Sequence, residues 1–147
     1  MTIRLVTATF EQLPRFVVME QEGKTGEFIA PYTLAKHQAT FQQPAINYLA
    51  IRDADELVGF MLTALDVDGE SVELRRIVVA AKGRGIGQQA LGLLEQRCQA
   101  VWQRRRIWLD VFADNARGLH IYEKLGYTFF KEGLFAGRPL LFYEKWL

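Results

Sequence analysis

The hexapeptide Lys82-Gly83-Arg84-Gly85-Ile86-Gly87 packs three glycines into five residues, between a β-branched run ending at Val79 and an amphipathic helical pattern. A strand that feeds a helix through such a turn presents bare backbone N–H groups at the positive helix end, where a phosphate is held. A tight strand-to-helix connection would also use glycine, for its positive φ, but three in five residues exceed that need. The spacing is not the Gly-x-x-x-x-Gly-Lys-Ser/Thr of a nucleotide-hydrolysing loop. It also lacks the setting of a Rossmann fingerprint, an early strand–helix unit with an acidic residue closing the next strand. Gly23-Lys24-Thr25 imitates the end of a P-loop without its upstream glycine, and reads as an inter-helix loop. The second constellation is Asn115, at a helix N-cap position, with Tyr122 two turns down the same face. Either alone is an ordinary cap or a half-buried tyrosine. Their spacing, downstream of the glycine turn, makes them informative together.

These residues need elements to hold them. Ile3 to Ala8 alternates and predicts a strand. Thr9 to about Glu22 predicts a helix, with Thr9 as N-cap and Gln12 completing a capping box. Tyr32 to about Gln42 predicts a second helix, with Pro31 near its start and Pro44 past its end. Ile46 to Arg52 and Glu56 to Asp66 form a hairpin about Asp53-Ala54-Asp55, and Ser71 to Val79 follows the Asp68-Gly69 turn. Gly85 to about Gln103 predicts a long helix with Ile86, Ala90, Leu93, Leu94, Arg97 and Val101 mostly on one face. Arg106 to Phe112 is a strand, and Asn115 to Leu125 a short helix ended by Gly126. Tyr127 to Leu134 and Pro139 to Trp146 close the chain around a Gly137 turn. The order β-α-α-β-β-β-α-β-α-β-β predicts an α/β fold with a mixed central sheet of six to seven strands flanked by about four helices. Residues 1–147 read as a single domain. The unit Ser71 to Phe112 should be a crossover joining parallel strands.

At 147 residues and 50% hydrophobic composition, the chain can bury a sizeable core. A net charge of +1 gives no global attraction to nucleic acid or acidic membrane. The single cysteine, Cys98, excludes an internal disulfide framework and reads as a small apolar residue in a helix. No apolar run approaches the ~20 residues of a membrane span, and MTIRLVTATF lacks the apolar core of a signal peptide. The expectation is a cytoplasmic protein without nucleic-acid or membrane partners, for which a homodimer is allowed.

The glycine turn and the Asn115 to Tyr127 segment together resemble the Gcn5-related N-acetyltransferase (GNAT) superfamily. The turn is similar to that family's Gln/Arg-x-x-Gly-x-Gly/Ala signature, and Asn115 to Tyr127 is similar to its Asn-x-x-Ala-x-x-x-Tyr-Glu-Lys-x-Gly-Phe/Tyr segment. The resemblance covers nearly the whole chain. Three departures stand out: Lys82 replaces the usual Gln or Arg, the Val79–Gly83 connection is short and lacks a proline, and Gly118 stands where Ala is common. The resemblance implies an acetyl-CoA-dependent N-acetyltransferase acting on a primary amine of a small molecule or peptide. It further implies direct transfer in a ternary complex of acetyl-CoA and the amine acceptor, and it implies no metal. The amides of Gly83, Arg84, Gly85, Ile86, Gly87 and Gln88 would hold the pyrophosphate, with charge added by Lys82 and Arg84. The pantetheine arm would pair with Ile77, Val78 and Val79, where that strand parts from Ile107 to Val111. Asn115 would bond the lower part of the arm.

In the same reading Tyr122 holds the family position of the general acid for the leaving thiolate. A backbone N–H of the Ile77–Val79 strand serves the oxyanion. The incoming amine is mostly ammonium, so it needs a base or a water chain. Glu73 leads, on the face that alternation shares with Arg75 and Ile77 and opposite Leu74 and Arg76; Asp110 is the alternative. A solvent-facing Glu73 paired with an arginine remains equally open. His37 and His120 have no partner visible in sequence. Arg104-Arg105-Arg106, with Arg97, reads as solvated charge at a helix C-terminus rather than a nucleic-acid patch. Acceptor specificity is expected from about Met19 to Phe41 and from the final hairpin. These carry Phe28, Tyr32, Phe41, Phe135 and Phe142 and the acidic Glu20, Glu22 and Glu27. The competing reading is a non-catalytic acyl-CoA-binding or sensor module of the same fold.

Overall fold

The computed structural model describes residues 2–22, 30–80 and 84–147. Its elements are β1 (Ile3–Thr7), α1 (Leu13–Gln21), α2 (Leu34–Phe41), β2 (Ile46–Asp53), β3 (Glu56–Leu65), β4 (Ser71–Val79), α3 (Ile86–Ala100), β5 (Arg106–Phe112), α4 (Ala116–Lys124), β6 (Thr128–Phe135) and β7 (Arg138–Trp146). The expected order of elements is observed, with one refinement. The first helix opens as a 3-10 turn over Phe10–Gln12, where Gln12 Oε1 accepts the Thr9 N–H at 2.9 Å.

The strands form one seven-stranded sheet in the order β1-β2-β3-β4-β5-β7-β6. Only β4 and β5 run parallel to each other, as the crossover through α3 requires, and all other neighbours are antiparallel. Each sheet face buries its own apolar cluster. On one face Ile86, Ala90, Leu91, Leu94 and Cys98 of α3 pack on Leu49, Met61, Val72, Leu74 and Ile107. On the other, Leu13, Phe16 and Met19 of α1 pack on Tyr48, Phe60, Leu62 and Val78. The buried stripe of α3 is therefore turned from the expected one: Leu91 and Cys98 belong to it, and Val101 is 62% exposed. Cys98 is a buried thiol whose pKa burial raises to about 12, which makes it inert.

Three local devices set β4, on which the site depends. Asp68 Oδ1 accepts the N–H groups of Glu70 and Ser71, and Oδ2 accepts the Ser71 hydroxyl, so the β3–β4 turn is tied at the first residue of β4. Arg104, Arg105 and Arg106 clamp the same end through the carbonyls of Asp66 and Ser71, the Glu70 carboxylate, and Glu144. This arginine run braces loops and strands rather than standing free in solvent. Finally, the β3–β4 ladder skips a residue: Leu62 opposes Arg76, but Thr63 opposes Leu74. Arg75 is the extra residue of a β-bulge, and its presence reverses which face the following side chains take.

Candidate active site

β4 pairs with β5 only from Ser71, Val72 and Glu73 to Arg106, Ile107 and Trp108. Beyond that point the two strands part, although β4 continues to Val79 and β5 to Phe112. Ile77, Val78 and Val79 remain paired to β3 through Met61, Phe60 and Gly59. Their β5 side is an unpaired strand edge, a template for a peptide-like chain. A cavity of about 850 Å³ occupies the parting. Its walls include Glu73 to Val79 of β4, Gly85 to Gln88, Leu109 to Phe112 of β5, Asn115, Arg117, Gly118, Ile121, Tyr122, Phe135, and Ala30 with Tyr32.

The glycine turn forms one end of this cavity. Gly85 is the N-cap of α3 with φ 72° and ψ 12°, a left-handed conformation that favours glycine. A Cβ built on Gly85 meets nothing within 4 Å, so the space above the first turn of α3 is open. Ile86 turns inward and is buried, whereas Gly87 and Gln88 line the cavity. Arg84 is anchored by Asp53, Nη2 to Oδ2 at 2.9 Å, at the end of the β2–β3 hairpin. Lys82 and Gly83 lie outside the described residues. Gly85→Val is expected to weaken acetyl-CoA binding at least about tenfold, because a β-branched residue pays roughly 1–2 kcal/mol in this conformation and crowds the amides. Calorimetry on a variant with native circular dichroism checks this; wild-type affinity would remove the turn from the binding site.

Asn115 caps α4: its Oδ1 accepts the Gly118 N–H at 3.0 Å. A Cβ at position 118 would lie 2.7 Å from Asn115 Nδ2. Glycine at this departure from the family pattern therefore gives the capping side chain its room. Tyr122 stands on the same helix, half-buried and lining the cavity. Tyr127 holds it edge-on at 5.9 Å between ring centroids, and the Tyr127 N–H bonds the Tyr122 carbonyl at 3.0 Å. Burial and the nearby Asp110 charge push the Tyr122 hydroxyl up to about 12, so it keeps its proton at neutral pH.

Glu73 stands where β4 leaves β5, with Asp110 two residues beyond its partner Trp108. Burial raises the Glu73 carboxyl, Arg75 opposes the rise by donating Nε to Oε1 at 2.9 Å, and Asp110 and Asp66 add to it. Burial likewise raises Asp110, with Arg76 pulling the other way. The expected face of Glu73 needs correction. Because Arg75 is the bulged residue, Glu73 shares its face with Arg76 and Val78, toward α1 and α2, and lies opposite Ile77. Both readings of Glu73 meet here, since it is arginine-paired yet lines the cavity.

Sequence reasoning missed the buried network on that face. His37, set aside as lacking a partner, is fully buried between two: its Nε2 meets Glu20 Oε1, and its Nδ1 meets the Tyr48 hydroxyl at 2.6 Å. Arg76 Nη1 donates to Glu20 Oε2 and, at 3.0 Å, to the Ala30 carbonyl, and its guanidinium lies 3.9 Å from the Tyr32 ring centroid. Burial and the Glu20 charge raise the Tyr48 pKa, so its hydroxyl keeps its proton beside His37 Nδ1. Glu20 is consequently engaged by Arg76 and His37 and is not an open carboxylate. Of the other acceptor candidates, Tyr32 and Phe135 line the cavity. Phe41 packs against Phe10 and Phe142 against Trp108, Glu22 is exposed, and Glu27 and Phe28, like residues 23–26, lie outside the described residues. The only sequence signal for the network was a histidine and an acid on neighbouring helical patterns, which is common by chance.

A split sheet, a left-handed glycine cap and a tyrosine-bearing helix thus surround one cavity, and residues 12–127 match the acetyltransferase (GNAT) family. The chain belongs to that family. It is similar to spermine/spermidine N(1)-acetyltransferase of Bacillus subtilis, 29% identical over 97 residues, which cover 60% of this chain and 64% of the relative. The match thus spans less than two thirds of that relative's length. Among solved structures, it is similar to an aminoglycoside acetyltransferase in complex with coenzyme A, with a TM-score of 0.84, 16% identity and coverage of 99% of this chain and 95% of the other. A spermidine N-acetyltransferase from Vibrio cholerae in complex with CoA and spermine gives a TM-score of 0.84 at 13% identity, covering 98% and 95%. Among the described residues no helix is long and apolar enough to cross a membrane, and no group of His, Cys, Asp and Glu could hold a metal ion.

Proposed function

We propose that the chain is an acetyl-CoA-dependent N-acetyltransferase that moves the acetyl group directly to a primary amine in a ternary complex. One observation carries the reading: a single cavity contains an unpaired β4 edge, the N-terminus of α3, a protonated Tyr122 and the raised carboxylates Glu73 and Asp110. The residues fit the donor. The α3 amides and Arg84 suit a pyrophosphate. The unpaired β5-side edge of Ile77 to Val79 suits the amides of pantetheine, and Asn115 lines the same cavity.

Glu73, or Asp110 in its stead, takes a proton from the acceptor ammonium, directly or through water. The freed nitrogen attacks the thioester carbonyl, and a backbone N–H of the Ile77–Val79 edge stabilises the oxyanion. As the C–N bond forms and the C–S bond breaks, the Tyr122 hydroxyl gives its proton to the departing sulfur. The similarity to polyamine and aminoglycoside acetyltransferases supports an amine acceptor. A thiol-release assay with mass analysis, over polyamines, aminoglycosides, amino acids and peptide N-termini, tests this. Thiol released in step with an acetylated amine is expected. Acetyl-CoA binding without release across the panel would instead leave a non-catalytic acyl-CoA-binding module.

The proposal includes the cytoplasm as the site of action and a homodimer. The edge strand β6 supports the dimer, since it exposes Phe129 at 50%, Leu134 at 73% and Phe135 at 49%. Sedimentation as a monomer at micromolar concentration would remove it.

A further inference from the structure

The acceptor end of the cavity offers a polycation little unpaired negative charge among the described residues. Of the cavity's two carboxylates, Glu73 is bound by Arg75, and only Asp110 has no arginine ion pair among the described residues. Glu20, a further acid near this end, is fully buried and serves Arg76 and His37. Against these stand Arg75, Arg76 and Arg117 in the cavity wall.

Arg76 is unusual among them. Its side chain is only 9% exposed, yet it lines the cavity. Both of its hydrogen bonds run from Nη1, to Glu20 and to the Ala30 carbonyl. Nε has no partner, and it is the one such buried side-chain nitrogen or oxygen among the described residues. A buried guanidinium normally satisfies its donors, because an unmade hydrogen bond to a charged group is costly. The edge that carries Nε is also the edge that grips a carboxylate bidentately. Glu20, fixed in turn by His37, which Tyr48 holds, accepts from Nη1, while the Tyr32 ring supports the guanidinium. The fork is thus held in orientation before any ligand arrives. Arg76 also stands on the Glu73 face of β4 and near enough to Asp110 to stabilise its charge.

We infer that the acceptor is an aminocarboxylate, whose carboxylate is taken by the Nε edge of Arg76 while its amine faces Glu73 and Asp110. The inference rests on the N-acetyltransferase reading and specifies its acceptor. An ammonium and a carboxylate on one small molecule match the paired signs of this end, whereas the several cations of a polyamine would find only Asp110 without an arginine partner among the described residues.

Matched acceptors that differ only in the carboxylate test it: L-lysine against cadaverine and L-ornithine against putrescine, with the full chain, acetyl-CoA and a thiol-release readout. The amino acids are expected to exceed the diamines in kcat/KM by about tenfold or more, chiefly through KM, as a bidentate charge-assisted pair implies. Arg76→Gln should bring that ratio toward one, and Arg76→Lys, which keeps the charge but loses the fork, should lower it. If Arg76→Gln fails to fold, the double variant Glu20→Gln/Arg76→Gln removes both buried charges and should show the same collapse. Thiol release with diamines equal to or better than their amino acids, or a ratio unchanged in the Arg76 variants, overturns the inference alone. No release from any amine overturns the acetyltransferase reading, and this inference with it.

Discussion

Tyr122→Phe is expected to lower kcat by about 10²- to 10⁴-fold, the range for loss of a positioned general acid, while acetyl-CoA affinity stays at the wild-type level. The substitution removes one oxygen and keeps the ring that packs on Tyr127. The effect should therefore fall on the proton and not on the shape of the cavity. The pH profile sharpens the test. Burial and Asp110 push the hydroxyl up to about 12, so Tyr122 stays protonated through the neutral range and contributes no limb there. The acidic limb belongs to the base, and burial raises Glu73 above the ordinary carboxylate value, so activity should rise with pH as Glu73 loses its proton. Tyr122→Phe should lower the plateau and leave that limb in place. Steady-state kinetics across pH with calorimetry on the donor makes the measurement. An unchanged kcat would remove Tyr122 from the chemistry.

Glu20→Ala is expected to destabilise the fold by about 3–5 kcal/mol, because it leaves the Arg76 guanidinium buried without its counter-charge. Glu20 and His37 have no exposed surface, and Arg76 has almost none. His37 loses its Nε2 partner in the same step. For a domain of this size the loss corresponds to a fall in Tm on the order of 10 °C. A surface ion pair would change stability by less than about 1 kcal/mol, so thermal and urea unfolding distinguish the two cases. The double variant Glu20→Leu/Arg76→Met should recover much of the loss, since apolar side chains of similar volume often replace a buried pair without penalty. A single variant with wild-type stability would mean that Arg76 finds water or another partner, and that the network does not orient it.

Much of the fold was legible in the chain because its signals are local. Gly85 and Gly126 adopt positive φ at the helix ends where the sequence placed them, with φ of 72° and 94°. Asn115 caps α4 through a bond to the residue three positions on. Alternation and turn residues located every strand, and residues of both motifs line one cavity. The stripe of α3 was partly misread because Arg97 and Val101 fit the helical period, but Arg97 bonds the Leu5 carbonyl and Val101 turns outward where the helix ends. The Glu73 face was misread because period-2 alternation assumes an unbroken ladder, and the bulge at Arg75 is a relation between two strands.

By itself the sequence determined what neighbours a few positions apart can decide: element order, caps, turn conformations, and the residue types of the proposed phosphate cradle and proton donor. Backbone sterics and i-to-i+4 hydrogen bonds act at that range. Only the tertiary structure decided how the strands are ordered, where β4 leaves β5, and which face Glu73 takes. It also decided that Glu20, His37, Tyr48 and Arg76 meet, although Glu20 and Arg76 stand 56 positions apart. Such contacts depend on sheet register and helix docking, where a slip of one residue exchanges the two faces of a strand. The proposed acyl donor was therefore readable from the glycine turn, and the chemistry of the proposed acceptor end emerged only once the chain was folded.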